Sequence, residues 1–379
     1  MTSSEASTQR IPPFVSLGSA RSVAGPLAAP GRGGVHPQKV SNASKSAAVS
    51  RETTAAGRSN VIDAIDDSSP IARELAHETK RRERLVGRQL PRPENTRIFT
   101  VSNQKGGVGK TTTTVNVAAA LATGGLNVLV IDNDPQGNAS TALGIEHQSG
   151  VPSIYDVIID DVPLGDVLQP CESVPGLVAA PATIDLSGAE IELVSMVARE
   201  NRLRNAIRDH VAARNAEGLE PYDYILIDCP PSLGLMTINA FVAAREVLIP
   251  IQCEYYALEG LTQLLKNIEL IRGHLNTDLH VSTILLTMFD GRTNLAREVA
   301  DEVREHFPVE TLEATIPRSV RISEAPSYGQ TVLTYDAGST GALAYREAAH
   351  EIAKRGAEAG TEHDGREAQV PAEAEKENS

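Results

Sequence analysis

Apolar and polar positions divide the middle of the chain into two alternating kinds of segment. Short apolar runs occupy 96–102, 127–132, 176–182, 222–228, 246–252 and 280–289. Several of them are almost continuously apolar, as expected of parallel strands that are covered on both faces. We therefore predict a strand at each run.

The segments between these runs have the spacing of helices. Residues 111–125 are rich in alanine and end at Gly124 and Gly125, a helix stop. Residues 189–207 and 258–275 repeat apolar side chains at helical spacing. Alternation of strands with helices predicts βαβ units, hence an α/β fold with a doubly wound, mostly parallel sheet. Ligands of such sheets bind at the carboxyl ends of the strands.

The two ends of the chain differ from its middle in composition. The first sixty residues hold seven Lys or Arg against two acids, with few large apolar side chains, so we predict a disordered tail over 1–95. Within it, a helix is predicted from Ser69, and its basic run (Lys80, Arg81, Arg82 and Arg84) fits either an acidic polymer or a solvated linker. We predict one folded domain over 96–355 and a disordered acidic tail over 356–379.

Composition also excludes several classes of protein. The three cysteines, Cys171, Cys229 and Cys253, form no C-x-x-C pair, and we find no signal peptide, so we expect a cytoplasmic protein without disulfides or a zinc site. No apolar run approaches ~20 residues, the length that spans a membrane.

The segment QKGGVGKTTT, 104–113, carries the strongest chemical signal. Its glycines (Gly106, Gly107 and Gly109) allow backbone N–H groups to approach phosphates, Lys110 can reach the β- and γ-phosphates, and the Thr111 hydroxyl can bind Mg²⁺. The common pattern has a glycine where this chain has Gln104, and Lys105 is an extra cation. We predict a deviant P-loop for ATP and Mg²⁺ built from 105–112 (Lys105, Gly106, Gly107, Val108, Gly109, Lys110, Thr111, Thr112).

Aspartates follow two of the predicted strands. Asp228 ends a strongly apolar run, where a carboxylate beside a P-loop would meet Mg²⁺. Asp132 ends another run and is followed by Asp134. For Asp132, capping of the next turn is as good an interpretation as a role in catalysis.

Five ordered motifs together resemble the ParA/Soj-type chromosome- and plasmid-partitioning ATPases, in the group that also holds MinD-type and nitrogenase-iron-type proteins. They are QKGGVGKTTT, DNDPQGNAS, YILIDCPPSLG, TMFDGRTNLAREV and IPRSVRISEAPSYG, and the resemblance runs from about Arg97 to Ile352.

The resemblance implies a role for each motif. Lys105 would reach the phosphates held by a partner chain, which links ATP to homodimer formation. Asp134 would position the attacking water, and Thr111, Asp134 and Asp228 would lie around Mg²⁺. The nucleotide base would lie beside Pro317 and Ser319, where relatives often have Asn at the second position.

The resemblance also implies partners. Arg292, Arg318 and Arg321 match the family's contacts to non-specific duplex DNA, and a ParB-type centromere-binding protein would stimulate hydrolysis on the nucleoid. For Arg292 alone, a solvated surface charge is as good an interpretation as a DNA contact. The domain over 96–355 is itself acidic, with 33 Asp or Glu against 19 Lys or Arg, so a DNA contact must come from a local cluster.

Two other functions remain open at this point. A MinD-like membrane-cycling ATPase would end in a basic amphipathic helix, whereas this chain ends in an acidic segment. A nitrogenase-iron-like reductase would need cysteines that hold a cluster between subunits, and Cys229 and Cys253 lie near strand ends. Packing as small buried hydrophobes is the better interpretation of both cysteines.

Overall fold

A single sheet organises the protein, for which a computed structural model describes residues 70–85, 89–255 and 257–367. Its strand order is β3-β4-β2-β5-β1-β6-β7-β8, and every neighbouring pair is parallel except β3 with β4. The strands are β1 (Arg97–Val101), β2 (Val128–Asp132), β3 (Gln169–Pro170), β4 (Leu177–Ala180), β5 (Tyr224–Asp228), β6 (Glu246–Gln252), β7 (His280–Phe289) and β8 (Thr311–Pro317).

Helices cover both faces of the sheet. They are α1 (Pro70–Leu85), α2 (Lys110–Thr123), α3 (Asn138–Leu143), α4 (Ile154–Ile159), α5 (Leu186–Leu193), α6 (Arg202–Ala216), α7 (Leu235–Ala243), α8 (Ala257–His274), α9 (Asn294–His306), α10 (Val320–Glu324), α11 (Val332–Tyr335) and α12 (Thr340–Glu367). Short 3-10 turns lie at Leu164–Val167, Arg199–Asn201 and Ala325–Tyr328. The predicted α/β fold with a mostly parallel sheet is confirmed.

Alternate side chains of the strands enter cores on opposite faces. Leu248 of β6 packs with α2 and α12, whereas Val247 and Ile249 pack with α8 and α9. Because both faces are covered, the strands need apolar residues at nearly every position, which explains the continuous runs in the sequence. The six predicted strands are present within two residues of the predicted bounds.

One predicted helix is broken in two. The helical spacing over 189–207 spans the end of α5, an irregular segment and the start of α6. Ala198 adopts a left-handed backbone conformation (φ 51°), which stops a helix. The Asn239 side chain of α7 donates to the Arg199 carbonyl at 2.8 Å and so stabilises the break. The prediction of one helix was wrong because this hydrogen bond comes from a distant part of the chain.

The helix predicted from Ser69 is present as α1, but it is not an isolated element of a tail. Arg81 pairs with Glu347 of α12, and all described residues belong to one compact unit. At the other end, α12 continues to Glu367, past the predicted domain end at 355. Residues 89–95 of the predicted N-terminal tail are also part of the described structure, and the other parts of both predicted tails (1–69, 86–88 and 368–379) lie outside the described residues.

A salt bridge ties β1, β6 and α12 together. The Arg97 Nε donates to Glu246 Oε1 at 2.7 Å, and Arg97 Nη1 donates to the Ile352 carbonyl at 3.0 Å. The two charged side chains are only 16 and 12% exposed. Loss of either partner would leave the other charge largely buried and unpaired, which is costly.

We therefore expect Glu246→Ala to lower the free energy of unfolding by about 3 kcal/mol. Urea unfolding of the nucleotide-free protein measures this loss. Glu269→Gln is the control, because Glu269 forms an exposed pair with Arg272 on α8, whose loss should cost less than ~1 kcal/mol. Equal losses in the two variants would contradict a stabilising role for the Arg97–Glu246 pair.

Candidate nucleotide site

The glycine-rich loop connects the end of β1 to the start of α2. Gly107 and Gly109 have φ values of +76° and +90°, a conformation that residues with a Cβ rarely adopt. No side chain caps the N-terminus of α2, whose first residue is Lys110. The free N–H groups of this turn and the helix dipole both favour an anion, so the loop has the features of a phosphate site.

Two residues that the sequence did not point to anchor this loop. The Asn103 side chain accepts from the Lys105 N–H at 3.0 Å and donates to the Pro250 carbonyl at 2.9 Å. From β7, the Thr287 hydroxyl donates to the Val108 carbonyl at 2.8 Å. Val108 itself is buried, so it contributes its backbone to the loop and its side chain to the core.

Lys110 lies inside the site. Its side chain is buried, and its Nζ donates to the Lys105 carbonyl at 3.3 Å. Burial lowers the pKa of Lys110, while the nearby Asp228 and Asp134 act in the opposite direction. The predicted phosphate-binding lysine therefore lies between the loop and the aspartates.

Asp228 ends β5 next to the loop. Its carboxylate is fully buried and accepts from the Thr111 hydroxyl at 2.7 Å and the Thr114 hydroxyl at 2.9 Å. Burial, followed by the charge of Asp132, raises the pKa of Asp228 well above its usual range. A cation at this position would offset the cost of the buried charge, and these hydroxyl and carboxylate oxygens are the donors that Mg²⁺ prefers.

Asp132 and Asp134 have different surroundings. Asp132 pairs in register with Asp228 on the adjacent strand and accepts from both the N–H and the hydroxyl of Ser140, at 2.8 and 2.7 Å. Burial raises the pKa of Asp132. These hydrogen bonds favour the capping interpretation of Asp132. Asp134 is 7% exposed and accepts from the Gln136 N–H at 3.0 Å.

The Lys105 side chain has different surroundings from that of Lys110. Its Nζ lies 2.8 Å from the Glu254 carboxylate, and the two side chains are 37 and 45% exposed. The hydrogen bond from Lys105, and to a smaller extent the charge of Arg318, lowers the pKa of Glu254. The sequence had not singled out Glu254, which holds the extra lysine at the protein surface.

Pro317 and Ser319 lie at the same edge of the sheet. Pro317 ends β8 opposite Phe289, the last residue of β7. Ser319 precedes α10 and makes no capping hydrogen bond with its side chain.

On α2, the Thr112 carbonyl accepts a hydrogen bond from the Asn116 side chain at 2.7 Å, and the Asn116 side chain accepts from the Val332 N–H at 2.8 Å. This chain of contacts fixes the segment after β8 relative to the loop.

All three predicted DNA-contacting arginines are exposed. Arg292 is 90% exposed and binds Asp290 with two hydrogen bonds, which lower the pKa of Asp290 to about 2. Arg318 follows β8, and Arg321 on α10 lies 3.2 Å from Glu324 and 3.4 Å from Asp336. They therefore lie on the protein surface near the carboxyl ends of β7 and β8.

The cysteines are buried and unpaired. Cys229 is 0% and Cys253 7% exposed, so neither thiol is placed to share a cluster with another chain. Burial also raises the pKa of Cys253 to about 11. These features favour packing over cluster binding. No helix of the described residues is both long and apolar enough to span a membrane.

A glycine-rich loop of this shape, which starts a helix and faces buried aspartates at the ends of adjacent parallel strands, defines the P-loop NTPases, and this chain has their fold. An AAA domain family model matches residues 96–281. The chain is 50% identical over 260 residues to the sporulation initiation inhibitor protein Soj of Bacillus subtilis, which covers 69% of this chain and 99% of Soj.

Two further proteins, one of them of known structure, are also similar to this chain. The chromosome partitioning protein ParA of Myxococcus xanthus is 50% identical over 259 residues, covering 68% of this chain and 88% of that protein. The crystal structure of cobyrinic acid a,c-diamide synthase from Mycobacterium smegmatis with bound ADP and magnesium superposes with a TM-score of 0.58 at 35% identity, covering 69% of this chain and 95% of that one. This chain belongs to the Soj/ParA family of chromosome-partitioning proteins.

The buried position of Lys110 leads to a prediction about nucleotide binding. Lys110→Ala should weaken ATP binding roughly 10- to 150-fold, because a charge-assisted hydrogen bond to phosphate is lost. Titration calorimetry of the monomeric protein measures this. Lys266→Ala on α8 is the control for an exposed lysine. ATP binding of Lys110→Ala at wild-type affinity would contradict the assignment of this loop as the phosphate site.

Proposed function

We propose that this protein is a weak ATPase that dimerises on ATP, binds duplex DNA without sequence preference, and leaves it when a partner stimulates hydrolysis. Family membership supports partitioning as the process. The geometry of the loop and the oxygen donors of Thr111 and Asp228 support Mg²⁺–ATP as the ligand. The observation that carries the mechanism is the different burial of two lysines in one loop.

Lys110 is buried beside the aspartates, while Lys105 is held at the surface by Glu254. Two ammonium groups in one short loop repel each other, and a single polyphosphate already has Lys110 as its cation. A second ATP, bound by a partner chain, would give Lys105 an anion of its own. Lys105 would then act in trans, so the dimer forms only when ATP is present.

Hydrolysis would use the buried groups. Asp134 would hold the attacking water, and Thr111 and Asp228 would hold Mg²⁺ directly or through water. The metal supplies charge stabilisation for the phosphate oxygens. Because phosphoryl transfer has a loose transition state, the placement of charges accounts for most of the catalysis. Pro317 and Ser319 would lie beside the base.

DNA binding would use exposed cations. Arg292, Arg318 and Arg321 all have exposed side chains, and Arg292 and Arg321 form ion pairs with surface carboxylates. Exposed ion pairs contribute little free energy, so duplex phosphates can compete for both arginines. With only 3% aromatic residues, the chain has little capacity to stack on bases, which favours phosphate contacts.

The partner would be a ParB-type centromere-binding protein whose basic segment approaches the acidic surface of the dimer. The cytoplasm and the nucleoid would be the sites of action. The similarity to Soj and ParA favours this function over a MinD-like membrane cycle.

Lys105→Ala tests the proposed trans contact. The variant should bind ATP as a monomer with near wild-type affinity, because Lys110 remains, and should lose ATP-dependent dimerisation. Size-exclusion chromatography with light scattering measures the mass with ATP and with ADP. Lys266→Ala should dimerise normally. If Lys105→Ala forms the full amount of dimer with ATP, the trans contact is wrong.

Arg321→Ala tests the DNA surface. Each lost phosphate contact makes log K less steep in log[salt] by about 0.9, so the two copies in a dimer should reduce the slope by about 1.8. The affinity should fall by a similar factor on any duplex sequence. Fluorescence anisotropy of the ATP-bound dimer across a salt series gives both values. Arg272→Ala on α8 serves as the control, and an unchanged slope for Arg321→Ala would reject this contact.

A further inference from the structure

Helix α1 precedes the residues that the family model matches, and it is fixed on the surface of the domain. The Arg81 guanidinium binds the Glu347 carboxylate with two hydrogen bonds, the first at 2.8 Å from Nε to Oε1. After the helix, the Leu90 N–H donates to the Gly124 carbonyl at 3.0 Å. A Cβ on Gly124 would clash with the Leu90 side chain, which shows how closely the two are packed. These contacts hold α1 and the segment after it against α12 and α2.

The next residue of α1, Arg82, reaches the turn at 336–339 that leads into α12. Its guanidinium donates to the Gly338 carbonyl, and Arg346 of α12 donates to the Ala337 carbonyl at 2.9 Å. Burial and then the nearby charge of Arg82 lower the pKa of Arg346. Two guanidinium groups beside one turn repel each other, and an anion between them would remove this repulsion.

Arg321 of α10, the proposed DNA contact, lies beside the same turn. Its Nε is 3.4 Å from the carboxylate of Asp336, the first residue of the turn. A Cβ on Gly338 would lie 3.7 Å from the Asp336 carboxylate and 4.0 Å from the Arg82 guanidinium. Arg82 of α1 and Arg321 of α10 therefore both flank this turn. We call Arg82, Arg321 and Arg346 together the basic turn surface, and Lys80 is a further exposed cation of α1.

The acidic residues of this region do not prevent phosphate binding. Glu78 lies 3.1 Å from Arg82, and Glu324 and Asp336 lie beside Arg321. Arg82 is 40% and Arg321 56% exposed. Pairs this exposed contribute little free energy, so closely spaced DNA phosphates can compete with the carboxylates for the two arginines. Helix α1 itself has five basic and three acidic residues, in a chain with net charge −14.

We propose that α1 is an accessory DNA-binding element, and that the basic turn surface binds the phosphates of duplex DNA next to Arg321. This inference rests on the proposed function, because it extends the DNA contact made there by Arg321. Duplex DNA offers one negative charge per ~1.7 Å of its axis, so cations added beside Arg321 each meet a phosphate. Contacts of this kind add affinity without sequence preference.

Lys80→Glu is the first test. The Lys80 side chain is exposed and takes no part in the contacts that hold α1, so the variant should keep the helix in place. For the full-length ATP-bound dimer on a random-sequence duplex, the salt slope should decrease by about 1.8, which is 0.9 for each of two lost contacts. Lys80→Glu/Arg82→Ala should lower the slope further. Lys266→Ala/Arg272→Ala removes the same two residue types from α8, on the other face of the sheet, and should leave the slope unchanged.

Glu347→Gln tests whether α1 acts from its docked position. This variant keeps every cation of α1 but removes the charge that holds Arg81, so DNA affinity should fall to a value between those of wild type and the Lys80→Glu/Arg82→Ala variant. Wild-type affinity in Glu347→Gln together with weak binding in Lys80→Glu would mean that α1 is only a tethered polycation, which overturns the docked surface.

Other outcomes separate this inference from the proposed function. If wild type binds the duplex and Lys80→Glu/Arg82→Ala binds it with the same affinity and slope, the role of α1 is wrong and the proposed function stands. If the ATP-bound wild type does not bind the duplex, the proposed function fails, and this inference fails with it. If Lys80→Glu instead reduces binding only to vesicles that contain phosphatidylserine, the surface recognises lipid and the DNA assignment is overturned.

Discussion

The burial of the Asp228 charge is the constraint on which the rest of the site depends. A carboxylate with no exposure to water is stable only when other groups stabilise it, and here the Thr111 and Thr114 hydroxyls do so in part. Both hydroxyls come from the first turns of α2, so the helix that starts the phosphate loop is attached to the strand that ends in the aspartate. The two hydroxyls offset only part of the cost of the buried charge, so a cation is favoured at this position. This is the chemical basis of a Mg²⁺–nucleotide site.

The sheet order brings these groups together. Strand β5 lies between β1, which leads into the loop, and β2, which leads to Asp132 and Asp134. On the other side of β1, strands β6 and β7 support the loop through the Pro250 carbonyl and the Thr287 hydroxyl. Five neighbouring strands thus contribute to one edge of the sheet. Parallel strands make this possible, because all their carboxyl ends lie on the same side.

The same edge places the nucleotide site near the exposed arginines. The charge of Arg318 helps to lower the pKa of Glu254, which binds Lys105. The same charge contributes to the low pKa of Asp290, the partner of Arg292. Charges at the phosphate loop and at the proposed DNA surface are therefore close enough to interact. The turn at 336–339 contacts both Arg321 of α10 and Arg82 of α1. Helix α1 lies outside the matched family domain.

Several features were determined by the sequence alone. The apolar runs predict the strands because a strand covered on both faces tolerates few polar residues. The spacing of glycines around Lys110 predicts the loop because glycine adopts positive φ values, such as those at Gly107 and Gly109, without the strain that a Cβ brings. The tertiary structure alone revealed the break before α6, the docking of α1, and the roles of Asn103, Thr287 and Glu254. Each of these depends on a hydrogen bond or ion pair between residues at least 40 positions apart, from Asn239 with Arg199 to Arg81 with Glu347. Local sequence patterns do not encode such pairs, because the partners meet only when the sheet and its helices have assembled.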